Sequence, residues 1–228
     1  MGLVGVWWVV CEVGSESMRL SDRDYLIFSV VYRFRFCLGR HIKELVAYGS
    51  LRATDRRLKL LIEAGYLERK KYLFGIPYLY TLSHKARTVL EVNRKAEKIR
   101  VDRIIHDIHV IDTVIYFLEK YNLSLNDLTS EKELYSVNGF GNRKHFPDFI
   151  FTFDNKTKAV EIEIALKNKD VLNKNIKENY MNYDSQIWIT SNNKVFRLLQ
   201  NFQCSYPNML IMDMEEILKY VRNNTNDT

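Results

Sequence analysis

The chain has 228 residues, enough for one large domain or two small ones, and an apolar fraction of 46% beside 27% charged residues is that of a folded chain rather than a disordered one. With only 3 prolines and 9 glycines, long linkers are excluded. Net charge is +6, yet Arg19 to Arg100 carries 19 Lys/Arg against 8 Asp/Glu while Val101 to Thr228 carries 15 against 18, which directs any polyanionic partner to the first half.

No stretch reaches the roughly 18 apolar residues of a membrane-spanning helix. Leu3 to Val13 is short and has no basic residue before it, so it fails as a signal peptide, and a cytoplasmic location without a membrane partner is expected. Cys11, Cys37 and Cys204 are far apart, odd in number and without ligand spacing, which predicts neither a disulfide framework nor zinc.

Residues 1–18 form a leader of unassigned role, with Met18 a candidate natural start and a functional leader strand the alternative. Asp22 can cap a helix to about Arg33, with Tyr25, Ile27, Phe28 and Val31 at helical spacing. A short helix follows from Gly39 to Val46, then a Tyr48-Gly49-Ser50 turn whose serine caps the next helix. In that third helix, Leu51 to Ala64, the residues Leu51, Thr54, Leu58, Leu61 and Ile62 share one face. Arg52, Arg56, Lys59 and Glu63 share the other, and Arg57 flanks the basic side. Gly65 ends the helix, and Tyr66 to Tyr72 and Tyr78 to Leu82 read as two strands joined by a turn, with Arg69, Lys70 and Lys71 where the hairpin projects.

The run Arg57-Leu58 to Leu61, Ala64-Gly65-Tyr66-Leu67 and Tyr80-Thr81-Leu82-Ser83 resembles the recognition helix and wing of winged helix-turn-helix proteins, over about residues 20–90. The resemblance implies a third helix in the major groove of double-stranded DNA. Arg52, Arg56, Arg57 and Lys59 would then face the duplex, and Arg69, Lys70 and Lys71 its backbone.

Ser83 caps a further helix, and Lys85 to Lys120 has few breakers; Glu91 to Arg103 is charged and weakly amphipathic, as in a helix crossing between domains. From Ile104 the pattern turns apolar, predicting a buried helix on which His106 and His109 are ordinary core or polar residues. Lys132 to Val137 reads as a strand, followed by a Gly139 to Asn142 turn and strands over Phe146 to Phe153 and Lys158 to Ala165, joined at Asp154 to Thr157. Alternation puts Glu161 and Glu163 on one face, and pairing brings Asp148 towards Glu161. Carboxylates this close repel, and three converging acids suit Mg2+ or Mn2+.

Pro147-Asp148, 12 residues, then Glu161-Ile162-Glu163 resembles the PD-(D/E)XK nuclease core. The resemblance implies Asp148 and Glu161 as metal ligands, with Glu133 as an additional one. Asp148, Glu161, Glu163 and Lys167 would form the catalytic set, Glu163 standing where lysine is expected and Lys167 substituting for the missing amine. A degenerate site without metal, kept as a DNA-binding or dimerisation scaffold, is the favoured alternative. Helices over Lys167 to Tyr183, Asn193 to Phe202 and Met214 to Val221, and strands over Ser185 to Thr190 and Met209 to Met212, complete a mixed α/β unit.

The fold class expected is therefore α+β: a winged helix-turn-helix over residues 19–92, a PD-(D/E)XK-like domain with its linking helix over 93–222, and a disordered tail over 223–228. The combination, with His106-Asp107-Ile108 opening the linking helix and Lys167 and Lys169 following the second acidic pair, resembles the replication-relaxation family of plasmids and conjugative elements. That implies an accessory DNA-binding protein in mobilisation or replication, acting with a relaxase or another mobile-element protein. A metal-dependent endonuclease and a transcriptional regulator, the latter usually a homodimer, are the alternatives.

Overall fold

The computed structural model describes residues 18–47, 49–92, 98–138 and 145–226. The leader over 1–17, the glycine turn at 139–142 and part of the predicted crossing helix lie outside the described residues. Three helices come first, α1 (Asp22–Phe34), α2 (Gly39–Leu45) and α3 (Leu51–Glu63). An antiparallel hairpin of β1 (Leu67–Lys70) and β2 (Leu79–Leu82) follows, in which Leu67 pairs with Leu82 and Lys70 with Leu79.

Local chemistry sets most of these boundaries. Ser50 accepts from the N–H of Ala53 at the start of α3, and Gly65, at φ +75°, ends it in the left-handed region that glycine adopts without strain. At α1 the cap is Ser21, not the predicted Asp22: the Asp24 carboxylate accepts from the Ser21 N–H at 2.7 Å and from its hydroxyl at 2.8 Å. Thr54, Leu58 and Leu61 are buried, but Leu51, expected on the same face, is exposed.

The crossing helix is interrupted on the described residues. Ser83 caps α4 (His84–Val89), accepting from Ala86, and Glu91 turns the chain at φ +57°. A tight turn at Val101–Arg103 then leads into α5 (Ile104–Lys120). Next come β3 (Leu128–Ser130) and α6 (Glu131–Asn138), where a strand is predicted over Lys132 to Val137. The reason is a reciprocal cap: Ser130 donates its N–H and hydroxyl to the Glu133 carboxylate, at 2.8 and 2.7 Å, and so starts a helix.

The rest is β4 (Phe149–Phe153), β5 (Lys156–Ile162), α7 (Lys169–Asn182), β6 (Ser185–Thr190), α8 (Asn193–Gln203), β7 (Met209–Asp213) and α9 (Met214–Asn226). The final helix thus runs past the predicted Val221 into the segment expected to be a disordered tail. Strands β3 to β7 lie in chain order in one mixed sheet: β3, β4 and β5 pair antiparallel, β5, β6 and β7 parallel. The parallel steps require crossovers, which α7 and α8 supply.

Period-two alternation splits the sheet into two apolar faces. Val160, Ile162, Ile187 and Ile189 join α5 and α9, whereas Trp188 and Met209 join Leu172 and Ile176 of α7 and Val195 and Leu199 of α8. The first cluster is continuous with the helical trio, running from Phe28, Leu58 and Leu61 through Ile111 and Val114 to Phe149. The architecture is α+β, and among the described residues no helix is long and apolar enough to cross a membrane.

Candidate functional site

Amphipathicity turns α3 so that Leu58 and Leu61 face the core while Arg52, Arg56 and Lys59 face outward, exposed. Lys59 Nζ lies 3.8 Å from the Glu63 carboxylate, a loose contact along the helix. Lys59 and Arg69 border the same cleft between α3 and the hairpin, with Asp55, Glu63 and Tyr80. The guanidinium of Arg69 sits 4.6 Å from the Tyr78 ring centroid. At the hairpin turn Phe74 is fully exposed, and Lys71 Nζ lies 5.7 Å from its ring.

Two expected DNA contacts are corrected. Arg57 turns into the protein and clasps fully buried Asp24, with Nε 2.7 Å from Oδ1, so it ties α3 to α1 instead of facing outward. The Asp24 carboxyl is held below its ordinary value: burial pushes it up, but the Arg57 and Ser21 hydrogen bonds outweigh that. Lys70 alternates with Arg69 along β1 and therefore points to the other side of the hairpin, where it pairs with Glu68 at 3.0 Å.

The second region gathers carboxylates at one end of β4 and β5. Asp148 Oδ2 accepts from the Ile162 N–H at 2.8 Å, and Oδ1 lies 3.4 Å from His106 Nε2 on α5. Glu161 accepts from Asn179 of α7 at 2.9 Å and contacts the His145 ring. Glu163 is 2.6 Å from Lys167 Nζ. The three acids sense one another: burial raises the Glu163 carboxyl, and the charges of Glu161 and Asp148 add to it, against the pull of Lys167.

Each acid therefore has its own basic partner. Burial alone would lower His106, but Asp148 and Asp107 overcome it and raise it to about 10, so it is an imidazolium at neutral pH. His145 and Lys167 are likewise raised against their burial, by Glu161 and Glu163 respectively. Asp148 is lowered despite burial, chiefly by His106.

Glu133, expected as a metal ligand, is instead held by Ser130 and by Arg33, whose Nε is 3.0 Å away. The acid that does approach Asp148 is Glu131. Its N–H donates to the Asp148 carbonyl at 2.9 Å, and burial together with the Asp148 charge raises its carboxyl. Both Asp148 oxygens are engaged, by the Ile162 N–H and by His106, while Glu161 is contacted through Oε1 and Glu163 through Oε2, so a divalent cation at this donor set would compete with the three basic partners for the acids. Among the described residues, no group of three or more His, Cys, Asp or Glu is arranged to hold a metal ion.

His106 and His145 escape a reading by sequence because neither lies at a fixed spacing from its acid; Ser130-Glu131-Lys132-Glu133, by contrast, is a legible capping box. Compared with models of known families, with curated proteins and with solved structures, the chain matches none.

Proposed function

We propose that the protein binds double-stranded DNA, with α3 as the recognition helix and the β1–β2 hairpin as the wing of a winged helix-turn-helix. The carrying observation is the outward presentation of Arg52, Arg56 and Lys59 beside Arg69 of the hairpin. Such cations bind phosphates by releasing condensed counterions, so affinity falls as salt rises. Fully exposed Phe74 is an apolar tip suited to lie against sugar edges in the minor groove.

The sheet unit is read as a PD-(D/E)XK-like scaffold, supported by Asp148 immediately before β4, Glu161 on the adjoining β5 and a helical crossover after β5. Its acids are neutralised from within, which favours a supporting role over metal-dependent cleavage. The biological setting, accessory binding at the origin of a mobile element beside a relaxase, comes from the sequence resemblance alone.

Fluorescence anisotropy with a duplex of about 20 base pairs tests the central claim. Replacing Arg52 and Arg56 together by Ala should weaken binding at least about tenfold and reduce the slope of log affinity against log salt by about 2, one per lost phosphate contact. Unchanged affinity and slope would remove α3 from the interface. Incubation of supercoiled plasmid with Mg2+ or Mn2+ should leave it supercoiled; nicking by the wild type that Asp148→Ala abolishes would replace the scaffold reading with an endonuclease.

A further inference from the structure

The hairpin has two faces, and the duplex surface uses only one. Arg69 points towards α3, while Glu68 and Lys70 point into a cleft of about 460 Å3 between the hairpin and α1. This cleft carries Arg35, Lys70, Arg87, Lys98 and Lys132 against the one carboxylate of Glu68. Tyr32 and Tyr72 also line it. Lys132 Nζ covers the Tyr32 ring at 3.6 Å from its centroid, which leaves Tyr72, half-buried against the cluster of Phe36, Leu79 and Ile104, as the other ring lining the cleft.

The cleft does not end there. Through Arg35, Lys98 and Ile99 it adjoins a second cleft of about 250 Å3 that adds Arg100 and Arg103 together with the acids Asp107 and Glu131, the latter paired with Arg35 at 3.4 Å. Through Arg35, Asp107 and Glu131 that one adjoins a small cleft bordered by Asp148. The path of positive excess thus runs behind the hairpin through the first two clefts and ends at the third, where Asp107, Glu131 and Asp148 stand against Arg33, Arg35 and Lys132.

We propose that this path is a binding groove for a single strand of DNA, separate from the duplex surface on the other face of the same hairpin. A duplex carries its phosphates on a convex exterior and keeps its base faces stacked, so it cannot place a base in a concave cleft of this size. An unpaired strand offers both chemistries at once, phosphates for a row of Lys and Arg and a base face for an aromatic ring. A run of connected clefts suits several nucleotides more than one. The choice of DNA rests on the duplex-binding reading; the groove itself does not.

Anisotropy of the full chain with a labelled oligothymidylate of about 20 nucleotides, run beside the duplex, tests this. Tyr72→Ala and Lys98→Glu should each weaken the strand about tenfold, the loss of one stacking or phosphate contact, and leave the duplex within about twofold. Lys98 is exposed, so its variant keeps the test valid if Tyr72→Ala fails to fold. Three results would overturn the assignment: no strand binding by the wild type, equal losses for strand and duplex, or displacement of the strand by thymidine monophosphate at the strand's own concentration. An oligouridylate that binds more tightly would overturn the choice of DNA. Strand binding without duplex binding sinks the duplex reading and leaves the groove standing; duplex binding without strand binding does the reverse.

Discussion

Removing the guanidinium of Arg57 strands the carboxylate of Asp24 inside the protein. Asp24 has no exposed surface, and Arg57 reaches it from the half-covered flank of α3. Breaking such a pair from one side leaves an uncompensated buried charge, so Arg57→Ala should cost about 3 kcal/mol in urea unfolding. Arg52→Ala, on the open face of the same helix, should change stability by less than about 0.5 kcal/mol. Equal losses for the two variants would mean that the Arg57 pair is not structural. Acid should reveal the same pair: the folded Asp24 carboxyl lies below its ordinary value of 3.8, so its contribution is present above that value and disappears as pH falls through the folded one. Helical periodicity alone puts Arg57 at the edge of the basic stripe, and only the position of α1 decides that it turns inward.

Between elements, the joint that matters is α5 against the ends of β4 and β5. His106 is raised to about 10 by Asp148 and Asp107 in spite of burial, from an ordinary 6.5. Its contribution is complete below the ordinary value and is lost as pH rises through about 10. Asp148 runs the other way: lowered in the fold, it contributes above 3.8 and fails as pH drops. Chemical unfolding of wild type and His106→Gln should therefore show a stability gap that is constant from about pH 5 to 6 and closes towards pH 10. A gap that stays constant to pH 10 would show a neutral imidazole. Such joints are where sequence and structure part. Strands β4 to β7 and helices α3, α5, α7 and α8 were legible because alternation and helical spacing are local properties of Phe149 to Ile164 or Leu51 to Ala64. The pairing of Asp148 with His106, or Glu161 with His145, depends on how α5 and the chain before Phe146 are laid over the sheet, which no spacing encodes. Glu133 differs for a related reason: Lys132-Glu133-Leu134-Tyr135-Ser136-Val137 carries the β-prone Tyr135 and Val137, but Ser130, three residues before Glu133, marks a helix start.

At the scale of the molecule, α5 couples the helical trio to the sheet. His41 of α2 is fully buried with Nε2 3.1 Å from Asp112 Oδ1, and Arg40 Nη2 reaches the other oxygen at 2.9 Å. His41 Nδ1 accepts from the Leu38 N–H at 3.3 Å, which leaves the proton on Nε2 for the carboxylate. Burial holds His41 below its ordinary value, and Asp112 is drawn down to about 2 by His41 and Arg40 although burial opposes it. Immediately before Asp112, Ile111 is almost fully buried in the apolar cluster shared by Phe28, Val160 and Ile187. A composition that divides into a basic and an acidic half thus shares one continuous apolar cluster between the helical trio and one face of the sheet, and the two halves should lose structure together. Ile111→Ala should cost about 2–5 kcal/mol, the usual range for a buried Ile truncation. Amide hydrogen exchange should report that loss equally in α1 and in β5. If protection fell in β5 while α1 kept its wild-type rates, the helical trio would be a unit that folds independently of the sheet.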